Sequence, residues 1–375
     1  MTFWLCIFAT AIWFGLAFFW HNFWRVDQRL CLAPPALAHY PSVIAIVPAR
    51  NEQETIETCL NKLQSQSYEG DFSIVVSNDS STDNTGQILG RLQSANPTQK
   101  HKLSVVDGKT LPSGWAGKMW ALHQAIEQVE AKGAGSASDY YWLSDADIAH
   151  RPDVLSALVV HAETRRLALV SQMVKLRCQT FWEKLLVPAF IFYFTLIYPF
   201  RAINNPASAI AGAAGGSILI RCEALKDIGG IEALKSAVID DCTLGKLVKR
   251  SGRNIWLGFG EHSISLRGYD RLTDFWQMVQ RSAYTQLHFS PLLLLLALGG
   301  IVVSHMLPML LLCWPALVLM VFIYWPTVRF YGLSPLWALT LPIAGALFGA
   351  MTLSSALAHH LGWSNQWRNR EIGKS

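Results

Sequence analysis

The chain has 375 residues, which is long enough for one large α/β domain and a second part. Hydrophobic residues make up 51% and charged residues only 15%, against about 25% charged residues in an average soluble domain, so apolar membrane segments are expected. The formal net charge of +5 is too mild for a dedicated nucleic-acid binder and fits a protein beside anionic lipid.

Uncharged, apolar stretches lie at both ends of the chain. Residues 2–20 carry no charge and match the length of about 20 residues that a spanning helix needs. A signal peptide is the alternative, but the run has no basic start and no small-residue cleavage site after it. Residues 289–328 are also uncharged and long enough for two spans, with a chain reversal expected within residues 299–308. A third C-terminal candidate covers residues 333–357.

Charged residues beside these stretches predict the side of the membrane on which each part lies. Arg25 and Arg29 follow the first stretch, which places the middle of the chain in the cytoplasm by the positive-inside rule. Three later spans would put the C-terminus outside, whereas Arg368, Arg370 and Lys374 favour the inside. A re-entrant or interfacial C-terminal stretch would resolve this conflict.

The sequence therefore predicts a multi-pass protein of a bacterial-type inner (cytoplasmic) membrane. Its expected parts are a spanning helix at residues 1–24, a cytoplasmic domain at 25–288, two or three spans at 289–360 and a basic tail at 361–375. Inside the domain, residues 184–201 have an uncharged, aromatic interior with two prolines. This composition favours a helix in the membrane interface, and a buried core helix is the alternative. A further span is disfavoured, because it would interrupt the central domain.

The first part of the central domain alternates strand and helix patterns. Short apolar runs predict strands, and apolar residues three and four apart predict helices. The predicted strands are residues 42–47, 72–77, 103–106 and 140–143, and the predicted helices are residues 53–66, 86–92, 117–130 and 153–165. This order predicts an α/β, Rossmann-like domain with a mainly parallel sheet that is covered on both faces.

Polar residues follow each predicted strand. In open parallel sheets, ligands bind beyond the carboxyl ends of the strands. Pro48 has no amide hydrogen and is expected to end the first strand, with Arg50 and Glu52 just beyond it. Asp79 and Asp107 follow the second and third strands. Because the GxGxxG loop of dinucleotide-binding folds is missing, this acidic edge predicts a divalent cation that in turn holds phosphates.

The run "SDAD" follows the fourth predicted strand. In an extended segment, positions two apart project to the same side, so Asp145 and Asp147 are expected to act together. Paired carboxylates suit Mg²⁺ or Mn²⁺. A solvated turn before the next helix is the alternative interpretation, and the position directly after an apolar strand favours the metal site.

Five motifs resemble one family when they are taken in order. They are "VPARNE", "SNDSSTDNT", "GWAGKMWAL", "SDAD" and "IDDCTLG", and they resemble the family-2 inverting glycosyltransferases of the GT-A fold over residues 42–284. The longer runs "LPSGWAGKMWALHQA" and "AGAAGGSILIRCEAL" resemble the hopene-associated glycosyltransferase subgroup. The resemblance implies an enzyme that moves a sugar from a nucleotide-sugar, expected to be a UDP-sugar, to a hydroxyl of a hopanoid or other polyisoprenoid lipid.

The resemblance also implies roles for single residues. Asp79 corresponds to the aspartate that recognises the nucleotide base and ribose, and Lys118 to a lysine near the nucleotide. The implied donor-binding residues are Pro48, Arg50, Glu52, Asp79, Lys118, Asp145, Gln280 and Arg281, and the implied metal ligands are Asp145 and Asp147. Gln280 and Arg281 stand where the family has Gln-x-x-Arg-Trp. Because this chain reads "QRSAY" there, Arg281 either takes over part of the charge or the loop is built differently.

The acidic pair in "IDDCTLG" is implied to be catalytic. Asp241 corresponds to the general base, and Asp240 replaces the family's glutamate. Asp241 would need a pKa raised by burial or by Asp240 in order to act near neutral pH. An acidic start to the following helix is a second interpretation, compatible with the first. On the acceptor side, the expected residues are Gly215, Gly216 and His262, although the glycines also suit a plain tight turn.

Two rival functions stay open at this stage. A processive polysaccharide synthase of the same fold would need a translocation channel, and the altered "QRSAY" run and the few spans count against it. A non-catalytic membrane scaffold is the other rival. The presence of Asp79, Asp145, Asp147 and Asp241 counts against that alternative.

Overall fold

The computed structural model describes residues 2–32, 35–95, 100–131, 133, 138–237 and 239–362, and the backbone of residues 366–367 and 370–371. Arg368 and Lys374 of the predicted basic tail lie outside the described residues. The chain forms two compact units. The apolar unit comprises Met1–Asp27, Arg177–Ala202 and Gly268–Asn365, and the sheet unit comprises Gln28–Leu176, Ile203–Arg267 and Gln366–Ser375. The predicted domain limits, which follow composition, stay a prediction.

The elements are numbered here in chain order. The helices are α1 (Thr2–Phe18), α2 (Ile56–Gln64), α3 (Thr85–Ala95), α4 (Gly117–Ala131), α5 (Val154–Arg165), α6 (Phe181–Ile197), α7 (Phe200–Ile203), α8 (Cys222–Asp227), α9 (Asp240–Arg250), α10 (Leu272–Gln280), α11 (Ala283–Gln286), α12 (Pro291–Ile301), α13 (Leu307–Leu310), α14 (Trp314–Phe330) and α15 (Leu341–His360). The strands are β1 (Val43–Ala49), β2 (Phe72–Asn78), β3 (Lys102–Asp107), β4 (Tyr140–Ser144), β5 (Ile148–His150), β6 (Leu169–Lys175), β7 (Ser217–Arg221), β8 (Ile255–Ser265), β9 (Gln366–Trp367) and β10 (Arg370–Glu371). A π-helix spans Val302–Met306, and 3₁₀ helices span Ile231–Leu234 and Pro335–Thr340.

The main sheet has the strand order β3-β2-β1-β4-β7-β6-β8-β5 in the described residues. Strands β1 to β4 run parallel to one another, as do β6 and β8. Strand β7 is antiparallel to both of its neighbours, and β5 is antiparallel to β8. The predicted strands and helices of the first half are therefore confirmed. The order reverses beside β1, which is where α/β sheets open a crevice at the carboxyl ends of their strands.

Burial explains why these residues form these elements. Every residue of β1 is buried, because a parallel strand covered by helices on both faces is apolar throughout. The buried residues of α2 are Ile56, Cys59, Leu60 and Leu63. Their spacing places them on one helix face, and that face belongs to the same hydrophobic core as Val47 of β1.

Strand β1 does not end at Pro48, which corrects the prediction from sequence. It continues to Ala49, with Pro48 opposite Ser77 of β2. The backbone groups of Val43 and Ala49 form hydrogen bonds towards β2. Successive residues of a strand direct their backbone N–H and C=O groups alternately to the neighbouring strand on one side and on the other. Pro48 therefore faces the β4 side, where pairing ends at Ile46. Its missing amide hydrogen is not needed there.

The apolar unit contains helices of membrane-spanning length. Among the described residues, Phe181–Ile203, Pro291–Leu310 and Pro335–His360 are long and apolar enough to cross a membrane. The helices Thr2–Phe18 and Trp314–Phe330 are apolar but have only 17 residues each. The stretch predicted to lie in the membrane interface thus also meets the length and composition of a span.

The chain reversal expected within residues 299–308 is misplaced. The helical course continues through this stretch to Leu310, and the turn follows at Leu312, which has a φ of 51°. A proline ring clashes with the carbonyl four residues earlier in a regular helix. Pro308 is the second residue after the π-helix, so the residue four positions earlier, Ser304, lies inside that irregular segment.

Candidate functional site

The turns after β1 and β2 are joined by side-chain hydrogen bonds. Asn51, with a φ of 52°, accepts a hydrogen bond on Oδ1 from the Thr82 amide at 2.8 Å. The Gln53 amide donates to Asp83 at 3.2 Å, and Gln53 Oε1 accepts from the Asn84 amide at 3.1 Å. The two turns therefore hold each other in one conformation at the carboxyl edge of the sheet.

Arg50 and Asp79 are the first residues of these two turns. Asp79 is fully buried, and the Arg50 guanidinium lies 3.8 Å from its Oδ2. Arg50 also donates to the backbone carbonyls of Asp79 at 2.5 Å and Ser80 at 3.1 Å. Arg50 thus secures the turn after β2. The predicted donor-binding roles of both residues stay predictions.

The "SDAD" run forms a turn, not the extended segment that was predicted. The Ile148 amide donates to the Asp145 carbonyl at 3.3 Å, because the chain turns between β4 and β5, which pairs with β8. The two carboxylates consequently have different basic partners. Asp145 Oδ1 lies 2.8 Å from Lys118 Nζ, and Asp147 Oδ2 lies 2.9 Å from Arg267 Nε.

Arg267 is a site residue that the sequence interpretation missed. Its Nη2 donates to Glu52 Oε1 at 2.9 Å while its Nε donates to Asp147. One guanidinium thus connects the turn after β1 with the turn after β4. The only signal in the sequence is an arginine two residues beyond the end of β8, a position with no distinctive motif.

Lys118 lies in the first turn of α4 between two acidic residues. Its Nζ is 2.8 Å from Asp145 Oδ1 and 3.5 Å from Asp240 Oδ2. Burial acts to lower the pKa of Lys118, but the negative charges of Asp145 and Asp240 outweigh burial and raise it above the ordinary value. Lys118 therefore stays protonated and supplies a fixed positive charge.

Asp241, the predicted base, is held by backbone amides. Its Oδ2 accepts from the Gly215 amide at 2.8 Å, and its Oδ1 accepts from the Cys242 amide at 2.7 Å. Burial, together with the neighbouring charge of Asp240, raises the pKa of Asp241 to about 6, although Lys118 opposes the rise. A carboxylate with this pKa can accept a proton near neutral pH.

The two predicted glycines, Gly215 and Gly216, lack a side chain for different structural reasons. A Cβ at Gly215 would lie 3.3 Å from Lys118 Nζ and 3.4 Å from Asp241 Oδ2. A Cβ at Gly216 would lie only 2.8 Å from a methyl of Val174 in β6. Gly215 therefore leaves space between charged side chains, whereas Gly216 allows close packing inside the sheet unit.

An open cavity lies over the cluster formed by Lys118, Asp145, Asp240 and Asp241. Pro48, Gly215 and several aliphatic side chains contribute to its wall. Its polar and charged lining consists of Lys118, Ser144, Asp145, Asp240 and Asp241. Asp79 and Asp147 are not among the described residues that line this cavity. The structure thus brings the predicted base, the lysine and one acid of "SDAD" to a single space.

The comparison with protein families matches slightly under half of the chain, with residues from both units. Residues 44–229 match the model "Glycosyl transferase family 2". This chain contains a glycosyl transferase family 2 domain. The matched segment includes Lys118, Asp145 and Gly215, whereas Asp241 and Arg267 follow its end. No curated protein matches this chain.

One solved structure has the same fold as this chain over most of its length. The mannosyltransferase PcManGT from Pyrobaculum calidifontis, in complex with GDP-Man and Mn²⁺, has 18% identity and a TM-score of 0.62, with 97% of this chain and 100% of that chain covered. This likeness concerns the fold, which is of the GT-A type. TarS of S. aureus has 16% identity and a TM-score of 0.42, with 81% of this chain and 55% of that chain covered. The second score is too low to support a comparison.

A metal site in the family 2 domain would have to be shared with a ligand. Among the described residues, no group of three His, Cys, Asp or Glu side chains could hold a metal ion. Mg²⁺ at phosphate-binding sites is commonly held by one or two carboxylates together with substrate phosphates. Asp145 and Asp147 supply such carboxylates at the end of β4. The donor set therefore fits a cation that arrives with a diphosphate.

Three further predicted residues are absent from the described lining of this cavity. His262 lies in β8, with its Nε2 3.2 Å from Glu261 Oε1. Gln280 and Arg281 belong to the apolar unit, where Gln280 Nε2 donates to the Ser354 carbonyl at 3.3 Å. The roles of His262 towards the acceptor and of the other two towards the diphosphate stay predictions.

Proposed function

We propose that this protein is a membrane-bound inverting glycosyltransferase that moves a sugar from a nucleotide-sugar to a hydroxyl of a lipid. The family 2 domain supports the transferase class. The observation that carries the proposal is the cavity where Asp241, with a pKa of about 6, lies with Lys118 beside Gly215. This arrangement pairs a proton acceptor with a fixed positive charge.

The charges of the cluster argue for a divalent cation. The residues joined by the contacts of this cluster include five acidic and two basic side chains. The acidic ones are Glu52, Asp145, Asp147, Asp240 and Asp241, and the basic ones are Lys118 and Arg267. A diphosphate entering this acidic site would be repelled unless positive charge came with it. Mg²⁺ or Mn²⁺ held by Asp145 and Asp147 would supply that charge and stabilise the leaving diphosphate.

The chain's own residues account for the proton and the direction of attack. Asp241 accepts the proton of the acceptor hydroxyl while the hydroxyl oxygen forms a bond to the anomeric carbon of the sugar. The bond from this carbon to the diphosphate oxygen breaks, and its electron pair leaves with the diphosphate. Lys118 stabilises the negative charge that develops there. Attack from the face opposite the leaving group inverts the anomeric carbon.

The apolar unit supports a lipid acceptor and a membrane location. Its three described helices of spanning length would keep the family 2 domain at a bilayer surface, in our proposal on the cytoplasmic side. A lipid alcohol could then react without leaving the membrane. The resemblance of "LPSGWAGKMWALHQA" to the hopene-associated subgroup favours a hopanoid or other polyisoprenoid alcohol.

The donor is proposed at the level of a nucleoside-diphosphate sugar. The PcManGT structure contains GDP-Man and Mn²⁺, and the resemblance from sequence favours a UDP-sugar. We therefore include both nucleotides in the experiment. Purified full-length protein is incubated with Mn²⁺, a polyisoprenoid-lipid extract and either GDP-mannose or UDP-glucose, and released nucleoside diphosphate is measured.

Lipid mass spectrometry of cells identifies the product. We expect a lipid with an added sugar mass in cells with the wild-type protein and its loss with Asp241→Asn. The matched control is Glu57→Gln, which changes an exposed ion pair of the same unit and should leave the lipid unchanged. An unchanged lipid profile with folded Asp241→Asn protein would refute the assignment of Asp241 and of the lipid.

A further inference from the structure

The Arg267 guanidinium bridges two acidic side chains that have little exposure. Its distances to Glu52 Oε1 and Asp147 Oδ2 are both 2.9 Å. The side chains of Glu52 and Asp147 are 10% and 13% exposed, whereas that of Arg267 is 35% exposed. Poorly solvated carboxylates are costly to leave without a compensating positive charge. Arg267 therefore supplies positive charge that these acidic turns need.

A divalent cation would use one of the same carboxylates. The proposed function assigns Asp147 to the cation, and the guanidinium contacts that carboxylate directly. A second positive charge a few ångströms from the first is repelled strongly where solvent screening is weak. The same carboxylate thus cannot interact at full strength with both cations.

We propose that Arg267 is an internal counter-cation of the acidic turn and that it competes with the divalent cation for Asp147. The inference rests on the proposed function for its choice of metal ligand. In the metal-free protein, Arg267 neutralises Glu52 and Asp147 and keeps both turns in place. When the cation binds Asp147, the guanidinium keeps Glu52 as its partner. The resting site therefore has a lower affinity for free metal than its carboxylates alone would give it.

The two basic residues of the cluster differ in a way that makes Arg267 the right one to test. Lys118 lines the cavity and is assigned to the leaving diphosphate, so its loss would affect donor binding and metal binding together. Arg267 contacts the turns through Glu52 and Asp147. The effect of replacing Arg267 on metal binding therefore tests whether its guanidinium competes with the cation for Asp147.

The experiment measures Mn²⁺ binding to the purified full-length protein at a fixed, saturating concentration of GDP or UDP, because the proposed site is completed by a diphosphate, and the same titration of the nucleotide alone is subtracted. Free Mn²⁺ is quantified by its electron paramagnetic resonance signal during a titration. We expect Arg267→Gln to bind Mn²⁺ about tenfold more tightly than wild type, because a competing charge is removed. Arg267→Lys keeps the charge and should remain close to wild type. Arg91→Gln, which breaks the exposed pair with Glu57, is the matched control and should change nothing.

Unchanged or weaker Mn²⁺ binding by folded Arg267→Gln would overturn the proposal, since an arginine that only orients Asp147 would make binding weaker when it is lost. If Arg267→Gln does not fold, Glu52→Gln gives a second reading. Glu52→Gln removes one charged partner of Arg267 and leaves its ion pair with Asp147 in place, so Mn²⁺ binding should weaken severalfold, and unchanged binding would overturn the proposal. Sugar transfer is not measured here, so a failure of the proposed function would appear separately, in the lipid experiment.

Discussion

Asp241 is expected to lower the stability of the folded protein when it is ionised. Burial and the charge of Asp240 raise its pKa from 3.8 to about 6. Between these pH values the folded chain holds a proton on Asp241 that the unfolded chain has lost. By linkage, the free energy of unfolding falls as the pH rises through this window. Asp241→Asn removes the ionisation and should remove this fall.

The expected size follows from the pKa values. One pH unit corresponds to about 1.4 kcal/mol, so a rise to about 6 corresponds to about 3 kcal/mol at neutral pH. Partial exposure of the carboxyl reduces this value, and we expect about 1–3 kcal/mol. The asparagine also loses one of the two backbone hydrogen bonds from Gly215 and Cys242, which are present at every pH. Comparing two pH values separates the two effects.

The assay is denaturant unfolding of the purified full-length protein at pH 4 and pH 7.5. The difference in unfolding free energy between Asp241→Asn and wild type should be about 1–3 kcal/mol more favourable to the variant at pH 7.5 than at pH 4. The control Glu57→Gln lies in an exposed pair and should show no such change. An equal difference at both pH values, or one that favours wild type at pH 7.5, would refute the reasoning about Asp241.

The other predictions concern the same cluster. Asp240→Asn should shift the acidic limb of the pH–rate profile below pH 6, and Lys118→Met should shift it above, because Asp240 raises and Lys118 lowers the pKa of Asp241; shifts in the same direction would contradict this electrostatic account. Gly215→Ala should lower the transfer rate about tenfold with little loss of stability, since its Cβ would crowd two charged groups at 3.3 and 3.4 Å. The control Gly90→Ala adds a methyl in open space and should leave the rate unchanged. Chelation by EDTA should abolish transfer and Mn²⁺ should restore it; full activity after chelation would exclude a required metal.

The parallel half of the sheet could be predicted because its signals are local. Each buried strand is a short apolar run, and helices such as α2 carry apolar residues at helical spacing. Strand β7 could not be placed in this way. It lies between β4 and β6, and its partners are distant in the chain. Pairing of that kind depends on the tertiary fold and leaves no periodicity in the sequence.

In the candidate site, too, residues in local motifs could be predicted, whereas features that depend on the tertiary fold could not. Asp145, Lys118 and Asp241 were predicted through motifs, and the structure brings them to one cavity. The conformation of the "SDAD" run was mispredicted because the turn depends on β5 pairing with β8. Arg267 was missed because its two acidic partners are 215 and 120 residues away. Only folding brings the three side chains together.

The hydrogen bonds that link the loops after β1 and β2 have a thermodynamic consequence. Asn51 and Gln53 already fix the neighbouring loop in the absence of any ligand. The conformational entropy of these segments is therefore lost when the chain folds, and an incoming molecule meets a rim of settled shape. Preorganisation of this kind lets contact energy appear as affinity instead of being consumed in immobilising flexible backbone.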